Sequence, residues 1–212
     1  MALAAYCHTE RCEQGWSQTP EADAKAAFEL ALRAVELGKN DANVLWMAAR
    51  AMVQWQPDTY RTRDLVYRSL QLNPNSALAM ATAAQIEASM GYPKKALEFL
   101  VRAERLSPRD PRGWYITWVM SLAHFMEGQF AEAATAARKS LNLNPRSTLA
   151  LRLLAASLAQ QGELGRAAEV MREMREIEPE LTLTKLRSRL MHFKEDFWQE
   201  YSRALRLAGL PQ

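Results

Sequence analysis

The sequence contains few residues that would interrupt or cross-link helices: 8 glycines, 9 prolines and 2 cysteines among 212 residues. Two cysteines are too few for the disulfide framework of a small secreted domain, so Cys7 and Cys12 are predicted to be free thiols. No apolar run approaches the length of about 18 residues that is typical of a transmembrane helix. The first residues lack the basic and apolar segments of a secretion signal. These absences predict a cytoplasmic protein without a membrane span.

Patterns of catalytic and nucleic-acid-binding residues are also missing. The 27 basic and 24 acidic residues are interspersed and give a formal net charge of +3, whereas a nucleic-acid-binding surface is expected to show a basic stripe. The common phosphate-binding, zinc-protease and hydrolase motifs are absent. Cys7, His8 and Cys12 lack the second ligand pair that a structural zinc site requires. We therefore expect no enzymatic activity, cofactor, metal ion or nucleic-acid partner.

The sequence does have a period. Prolines that follow a Leu-x or Ile-x pair recur at spacings of 34, 37 and 34 residues, at Pro74, Pro108, Pro145 and Pro179. Glycines recur in step, each 17 residues before the next of these prolines, at Gly91, Gly128 and Gly162. Each unit is therefore predicted to have two halves separated by a glycine turn, and a proline turn joins it to the next unit.

The two halves of each unit have the composition of helices. Residues 93–106 place apolar side chains at the i, i+3, i+4, i+7 spacing of an amphipathic helix. Residues 76–90 are rich in alanine, which is typical of a helix packed closely between two neighbours. The predicted N-caps of the following helices are Asn75 or Ser76, then Asp110, then Ser147. Pro111 suits the first position of its helix, and no alternating run of β-branched residues predicts a strand.

The helix–turn–helix period and its marker residues resemble the tetratricopeptide repeat (TPR) family. The family's large residue early in the first helix is matched by Trp46, Met80, Trp114 and Leu151. Its small residue at the helix crossing is matched by Ala96, Ala133 and Ala167, with Thr62 as a departure. The resemblance implies an all-α fold, a TPR-type α-solenoid whose antiparallel helix pairs form a right-handed superhelix. It also implies a non-catalytic scaffold that binds a protein or peptide partner in its concave groove.

The period divides the chain into three regions. Residues 1–42 are predicted to form a degenerate N-terminal repeat. Four TPR-like repeats fill residues 43–179, with the boundaries 43–76, 77–110, 111–147 and 148–181. Residues 182–212 leave the period and are predicted to form C-terminal capping helices, with exchange into a second chain of a homodimer as the alternative. Because the first helix lacks a polar capping repeat, we expect the chain to be the C-terminal part of a longer protein.

The C-terminal tail and one repeat resemble a particular group of TPR proteins. The tail YSRALRLAGLP and the tryptophan-bearing unit that starts at Asp110 are similar to the C-terminal TPR regions of certain bacterial signalling proteins. Those proteins carry a class III adenylate cyclase domain or a winged-helix DNA-binding domain upstream. The resemblance implies a regulatory module whose partner would be an upstream domain of the same polypeptide. A free-standing, co-chaperone-like adaptor and a peptide or small-ligand sensor are the alternatives.

The first helix of each repeat is expected to line the groove. The candidate partner-binding residues at groove-facing positions are Met47, Gln54, Thr82, Gln85, Arg112, Tyr115 and Arg152. Arg112 and Arg152 are the fixed charges of a largely apolar surface, which suits a helix or extended segment with apolar anchors and an acidic residue. Met47, Ala51 and Thr82 stand where the carboxylate clamp of TPR co-chaperones needs Lys or Asn, which argues against that function. The alternative is that the groove positions only pack repeat against repeat.

One repeat departs from the period. Pro108 and Gly128 are 20 residues apart, whereas the equivalent pairs are 17 apart. The three additional residues predict almost one more turn, about 4.5 Å, in the first helix of this repeat. The candidate residues for a partner or dimer contact there are Trp118, His124 and Phe125. The alternative is a local insertion that the solenoid tolerates.

Overall fold

The chain is built of helices joined by turns in the parts that the structure, a computed structural model, describes: residues 1–14, 16–53, 59–190 and 192–212. The helices are α1 (Ala2–Glu13), α2 (Pro20–Leu37), α3 (Ala42–Met52), α4 (Thr59–Leu72), α5 (Ala77–Ser89), α6 (Pro93–Leu106), α7 (Gly113–Met126), α8 (Phe130–Leu143), α9 (Thr148–Gln160), α10 (Leu164–Ile177), α11 (Leu183–Arg189) and α12 (Glu195–Leu207). The prediction of an all-α fold is confirmed. No described helix combines the length and the apolar character that a bilayer span requires.

The first ten helices form five pairs that are stacked side by side. Each of them packs against the next one along the chain. The first helices of the pairs, α1, α3, α5, α7 and α9, also contact one another in series. They therefore form an inner layer, and the second helices of the pairs form an outer layer. This two-layer stack of helix pairs is an α-solenoid.

Glycine turns separate the two helices in three of the pairs. Gly91, Gly128 and Gly162 follow α5, α7 and α9 with φ angles of 85°, 71° and 80°. A residue with a Cβ adopts this left-handed conformation only at a cost in free energy. At the first turn, the Tyr92 N–H donates to the Glu87 carbonyl at 2.8 Å, which closes the end of α5. The glycines of the period are therefore helix terminators, as predicted.

Serine side chains start two of the inner helices. The Ser76 hydroxyl accepts a hydrogen bond from the Ala79 N–H at 3.2 Å. The Ser147 hydroxyl accepts one from the Ala150 N–H at 3.3 Å. Each bond satisfies a backbone donor that has no partner inside its helix. Both predicted N-caps are confirmed.

The predicted start of the next inner helix is wrong. α7 begins at Gly113 and not at Pro111. Asp110 turns the chain instead of capping the helix, because its carbonyl accepts from the Gly113 N–H and its carboxylate accepts from the Arg112 N–H, both at 2.8 Å. This extra turn moves the first residue of α7 away from the proline.

The joint before α7 holds most of the three additional residues. Six residues separate α6 from α7, whereas four residues separate α4 from α5 and α8 from α9. α7 has 14 residues, against 13 in both α5 and α9. The predicted additional helical turn is therefore wrong, since two of the three residues lengthen the joint and only one lengthens the helix.

Small residues stand where the helices of each pair cross. Ala96, Ala133 and Ala167 are fully buried, and Thr62 is buried at the same place in α4. All 13 residues of α5 are also buried, as are all residues of α9 except its last. The inner helices of an open solenoid keep one face exposed to the groove. In this chain, other segments must cover that face.

The C-terminal tail packs on its own chain. α12 contacts α9 and α10. The Leu183 N–H donates to the Pro211 carbonyl at 2.8 Å, which ties the beginning of the tail to its end. One side of α12 is buried, with Phe197, Tyr201 and Leu205 in the core. The tail therefore covers the last helix pair.

Replacement of Ala96 by leucine is expected to overpack the crossing of α5 and α6. Ala96 is fully buried, so a larger side chain forces the two helices apart. The free energy of unfolding, measured by urea denaturation, should fall by about 1–3 kcal/mol. The matched control is Ala131→Leu on the exposed face of α8. Equal stability of the Ala96 variant and the unmodified chain would contradict this crossing.

Candidate functional site

The concave face is lined by the inner helices, but it is not an open groove. Among the predicted partner-binding residues, Met47 and Arg112 are half-buried. The residues that are 5% exposed or less are Thr82, Gln85, Tyr115 and Arg152. Gln54 lies outside the described residues. The structure thus corrects the expectation of an accessible groove, because other segments of the chain cover most of these side chains.

α1, the first helix of the inner layer, packs against α2 and α3 and turns one side toward the concave face. Tyr6, Glu10 and Glu13 have the i, i+4, i+7 spacing that places them on one side of a helix. The Tyr6 ring meets the Trp46 ring of α3 edge-on, with 5.5 Å between the centroids. Glu10 and Glu13 both reach Arg50, one turn further along α3. α1 therefore presents one aromatic ring and two carboxylates to the inner layer.

Arg50 is the centre of this contact. Its side chain is 1% exposed, its Nη1 donates to Glu13 Oε1 at 2.7 Å, and its Nη2 donates to Glu13 Oε2. Nη2 also lies 3.4 Å from Glu10 Oε1. The guanidinium lies 4.5 Å from the ring centroid of Tyr115, on α7. This cluster, the Arg50 clamp (Glu10, Glu13, Arg50 and Tyr115), joins α1, α3 and α7 by directional contacts.

Two carboxylates compete for the single guanidinium of the Arg50 clamp. Burial raises the pKa of Glu10 from 4.5 to about 7, while Arg50 opposes this rise and Glu13 adds to it. Burial disfavours the charge of Arg50, but the attraction of Glu13 raises the pKa of Arg50 above its ordinary value. Near neutral pH, Glu10 is therefore partly protonated.

The end of α1 also contacts the joint between α8 and α9. Gln14, directly after α1, accepts a hydrogen bond at 2.8 Å from the side-chain amide of Asn144, although 130 residues separate them. Asn144 belongs to the joint between α8 and α9. The first helix pair thus touches the joint that leads into the last pair. The superhelix is closed on its concave side by its own N-terminal helix.

The C-terminal tail covers the rest of the concave face. A cavity of ≈ 30 Å³ lies between the tail and the inner helices α7 and α9. Its walls are Trp118, Leu122, Leu149, Arg152, Leu153, Leu190, Phe193, Phe197 and Tyr201. A void of this size holds about one water molecule. The two ends of the chain therefore leave little open space above the inner helices.

The predicted contact residues of α7 take part in this internal packing. Phe125 is fully buried, and its ring centroid lies 5.6 Å from that of Tyr201. Trp118 is 6% exposed beside the same part of the tail. His124 is half-buried, and its Nδ1 lies 2.7 Å from Gln129 Oε1. Trp118 and Phe125 are therefore covered by the chain's own tail and present no exposed contact surface.

His8 and Cys12 tie α1 to α2. His8 Nδ1 lies 2.6 Å from Asp23 Oδ1. The Cys12 thiol donates to the Pro20 carbonyl at 3.5 Å, and Cys7 is exposed. No group of three or more His, Cys, Asp or Glu side chains within the described ranges is arranged to hold a metal ion.

The sequence-based prediction of the groove missed Arg50 and the three residues of α1. The spacing of Tyr6, Glu10 and Glu13 is visible in the sequence and predicts that they share one side of a helix. No local pattern indicates that this side meets a residue 37 positions away. A charged residue amid the buried alanines of α3 was the available signal, since a buried arginine needs an acidic partner.

Replacement of Glu13 by glutamine is expected to weaken the chain far more than replacement of Glu10. The Glu13 variant leaves a buried guanidinium without its main counter-charge, so the free energy of unfolding should fall by about 3 kcal/mol.

Glu10→Gln copies the protonated form of Glu10. Neutral Glu10 contributes stability that is complete below pH 4.5 and is lost as the pH rises through about 7. The Glu10 variant should therefore match the unmodified chain at acidic pH and exceed it in stability above pH 7.

Urea denaturation at several pH values measures both effects. Glu29→Gln is the matched control, because Glu29 is 63% exposed and forms only a surface pair with Lys25 at 3.9 Å. This control should change the free energy of unfolding by less than about 0.5 kcal/mol. A Glu13 variant as stable as the control would contradict the Arg50 clamp.

Similarity to known proteins is confined to the fold. No protein-family model and no curated protein matches the sequence. Among solved structures, the chain is similar to PilW, a widely conserved type IV pilus biogenesis factor, with a TM-score of 0.66 and 16% identity over 93% of this chain and 92% of PilW. It is similar to TTC0263, a thermophilic TPR protein of Thermus thermophilus, with a TM-score of 0.64 and 18% identity over 93% of this chain and 99% of TTC0263.

A third similar structure is MamA, residues 41 to the end, from Desulfovibrio magneticus RS-1. Its TM-score is 0.56, with 20% identity over 84% of this chain and 95% of that chain. At such identities the likeness shows the fold alone. Together with the stacked helix pairs, it shows that the chain has the fold of a TPR-type α-solenoid.

Proposed function

We propose that the chain is a non-catalytic protein-interaction scaffold that recognises an acidic, amphipathic helix on its concave face. The observation that carries this proposal is the position of α1. α1 packs beside α3 with its aromatic ring against Trp46 and its carboxylates against Arg50. The concave face thus already holds one helix of this chemistry. A partner helix with the same arrangement of side chains would use the same contacts.

Binding of such a partner requires the α1–α2 hairpin to move away. The contact of this hairpin with α3 has its own small core of buried residues, which is separate from the main one. It consists of Ala5, Ala27, Ala31, Ala48, Ala51 and Met52, with the partly buried Phe28, Leu30, Leu32, Val35 and Leu65 packed against it. Alanine side chains bury little apolar area, and the hydrophobic stabilisation is roughly proportional to that area. The Arg50 clamp adds directional polar contacts to this apolar packing, and an acidic partner would compete directly for Arg50.

The same proposal extends to a larger bacterial signalling protein. The tail and the tryptophan-bearing repeat resemble the TPR regions that follow adenylate cyclase or winged-helix domains. In such a protein, the partner would be a helix of the upstream domain, and the hairpin would regulate access to the concave face. This context rests on the resemblance, whereas the chemistry of the concave face rests on the contacts of α1.

A synthetic peptide with the sequence of residues 1–14 tests the proposal in trans on the full chain. Glu13→Lys places a cation against Arg50, so the hairpin is expected to leave the concave face. The labelled peptide should then bind the Glu13→Lys chain at least about tenfold more tightly than the unmodified chain. Fluorescence anisotropy measures both affinities.

The control chain has its hairpin held in place. Cysteines at Gln14 and Asn144, whose side chains are hydrogen-bonded, are joined by a short bismaleimide in a Cys7→Ser, Cys12→Ser background that also carries Glu13→Lys. The cross-linked chain should lose the peptide binding, and a peptide with Gln at positions 10 and 13 should bind weakly to every chain. Equal affinity of the cross-linked and uncross-linked chains would contradict recognition on the concave face.

A further inference from the structure

A cleft remains open where the two ends of the chain approach each other. On one side are the end of α1 and the following loop, with Glu13 and Ser17. On the other side are α9, the end of α10 and the end of α11. The volume of the cleft is ≈ 210 Å³. Since one water molecule occupies about 30 Å³ of liquid, the cleft has room for a ligand of roughly seven to ten non-hydrogen atoms.

The cleft is lined by two arginines and two glutamates, and the two arginines, Arg152 and Arg189, outnumber the one glutamate that faces them, Glu178. Arg152 and Arg189 both face one carboxylate, that of Glu178. Arg189 Nη1 donates to Glu178 Oε2 at 2.7 Å. Arg152 Nη1 lies 3.8 Å from Glu178 Oε1, which is longer than a hydrogen bond. Glu13 does not balance this excess, because Arg50 already engages both of its oxygens.

Arg152 carries an unused donor at this place. The residue is 5% exposed, and its Nε has no hydrogen-bond acceptor among the described residues. A buried donor without an acceptor is unfavourable, and more so on a charged group. A carboxylate placed beside it would gain a charge-assisted hydrogen bond and would balance the second guanidinium.

The rest of the cleft is lined by apolar side chains. Leu149, Ile177 and Leu190 line it beside the two arginines. An aliphatic chain lying against these side chains would remove their apolar surface from water. The cleft therefore combines a site for an anion with an apolar wall, within a volume too small for a folded segment of another protein.

We propose that this cleft binds a small aliphatic monocarboxylate. The carboxylate accepts hydrogen bonds from Arg152 and Arg189, and the aliphatic chain lies against Leu149 and Leu190. Because the walls come from α1 and its loop on one side and from α9 to α11 on the other, the bound ligand bridges the two ends of the chain. This ligand site does not depend on the proposed binding of a protein partner.

Titration of the full chain with 4-methylpentanoate, followed by ¹H–¹⁵N NMR, tests the proposal. 4-Methylpentanamide is the matched probe, since it has the same shape without the charge. The carboxylate should bind at least about tenfold more tightly than the amide. The largest chemical-shift changes should lie on both walls, at Ser17 and at Thr148.

Arg189→Gln is the informative variant, because the Arg189 side chain is 43% exposed and its loss should leave the fold intact. It should weaken binding of 4-methylpentanoate about tenfold, whereas Arg172→Gln, on the exposed face of α10, should leave binding unchanged. Equal binding of the acid and the amide, equal binding by both variants, or no saturable binding would overturn the proposal. Much tighter binding of a leucine-terminated peptide than of 4-methylpentanoate would also overturn it, in favour of a peptide site.

Discussion

The burial of Arg50 is the constraint on which the form of this solenoid depends. A guanidinium that is 1% exposed must be compensated within the protein, because an unpaired buried charge is prohibitively unfavourable. Arg50 lies on an inner helix, and its counter-charges come from α1. The chain satisfies Arg50 by packing its first helix beside α3 with Glu10 and Glu13 turned toward the guanidinium. A polar contact of this kind adds little net stability compared with an apolar one, but it fixes where α1 must lie.

The closure of the concave face follows from that position. α1 reaches the joint before α9 through Gln14 and Asn144, and the tail covers α7 and α9 from the other end. The burial of all 13 residues of α5 is the visible result. The fold therefore has the layers of a TPR solenoid but not the open groove that these layers usually frame. Under the proposed function, a partner helix competes with α1 for Arg50, and its affinity depends on how readily the α1–α2 hairpin separates from α3.

The local features of the fold could be predicted from the sequence, whereas the contacts that close the concave face could not. The period of prolines and glycines predicted the helix pairs, the glycine turns and the serine caps, because each depends on residues close together in the chain. The start of α7 was missed because Asp110 uses its side chain and carbonyl to form a turn, a choice that the N-cap preference alone does not reveal. The predicted groove residues Met47, Thr82, Gln85, Tyr115 and Arg152 lie on the inner helices, but what covers them was beyond the reach of a periodic pattern. The Arg50–Glu13 contact joins residues 37 apart and the Gln14–Asn144 contact joins residues 130 apart.

The concave face and the remaining cleft thus depend on one arrangement, in which the first helix pair is closed against the last. The distance between α1 and the joint before α9 tests this arrangement most directly. Spin labels at Arg11 and Arg146, both exposed, allow it to be measured by double electron–electron resonance in the full chain. The account predicts one narrow, short distance distribution, which becomes longer and broader in the Glu13→Lys variant. A broad distribution in the unmodified chain, or one that Glu13→Lys leaves unchanged, would contradict it.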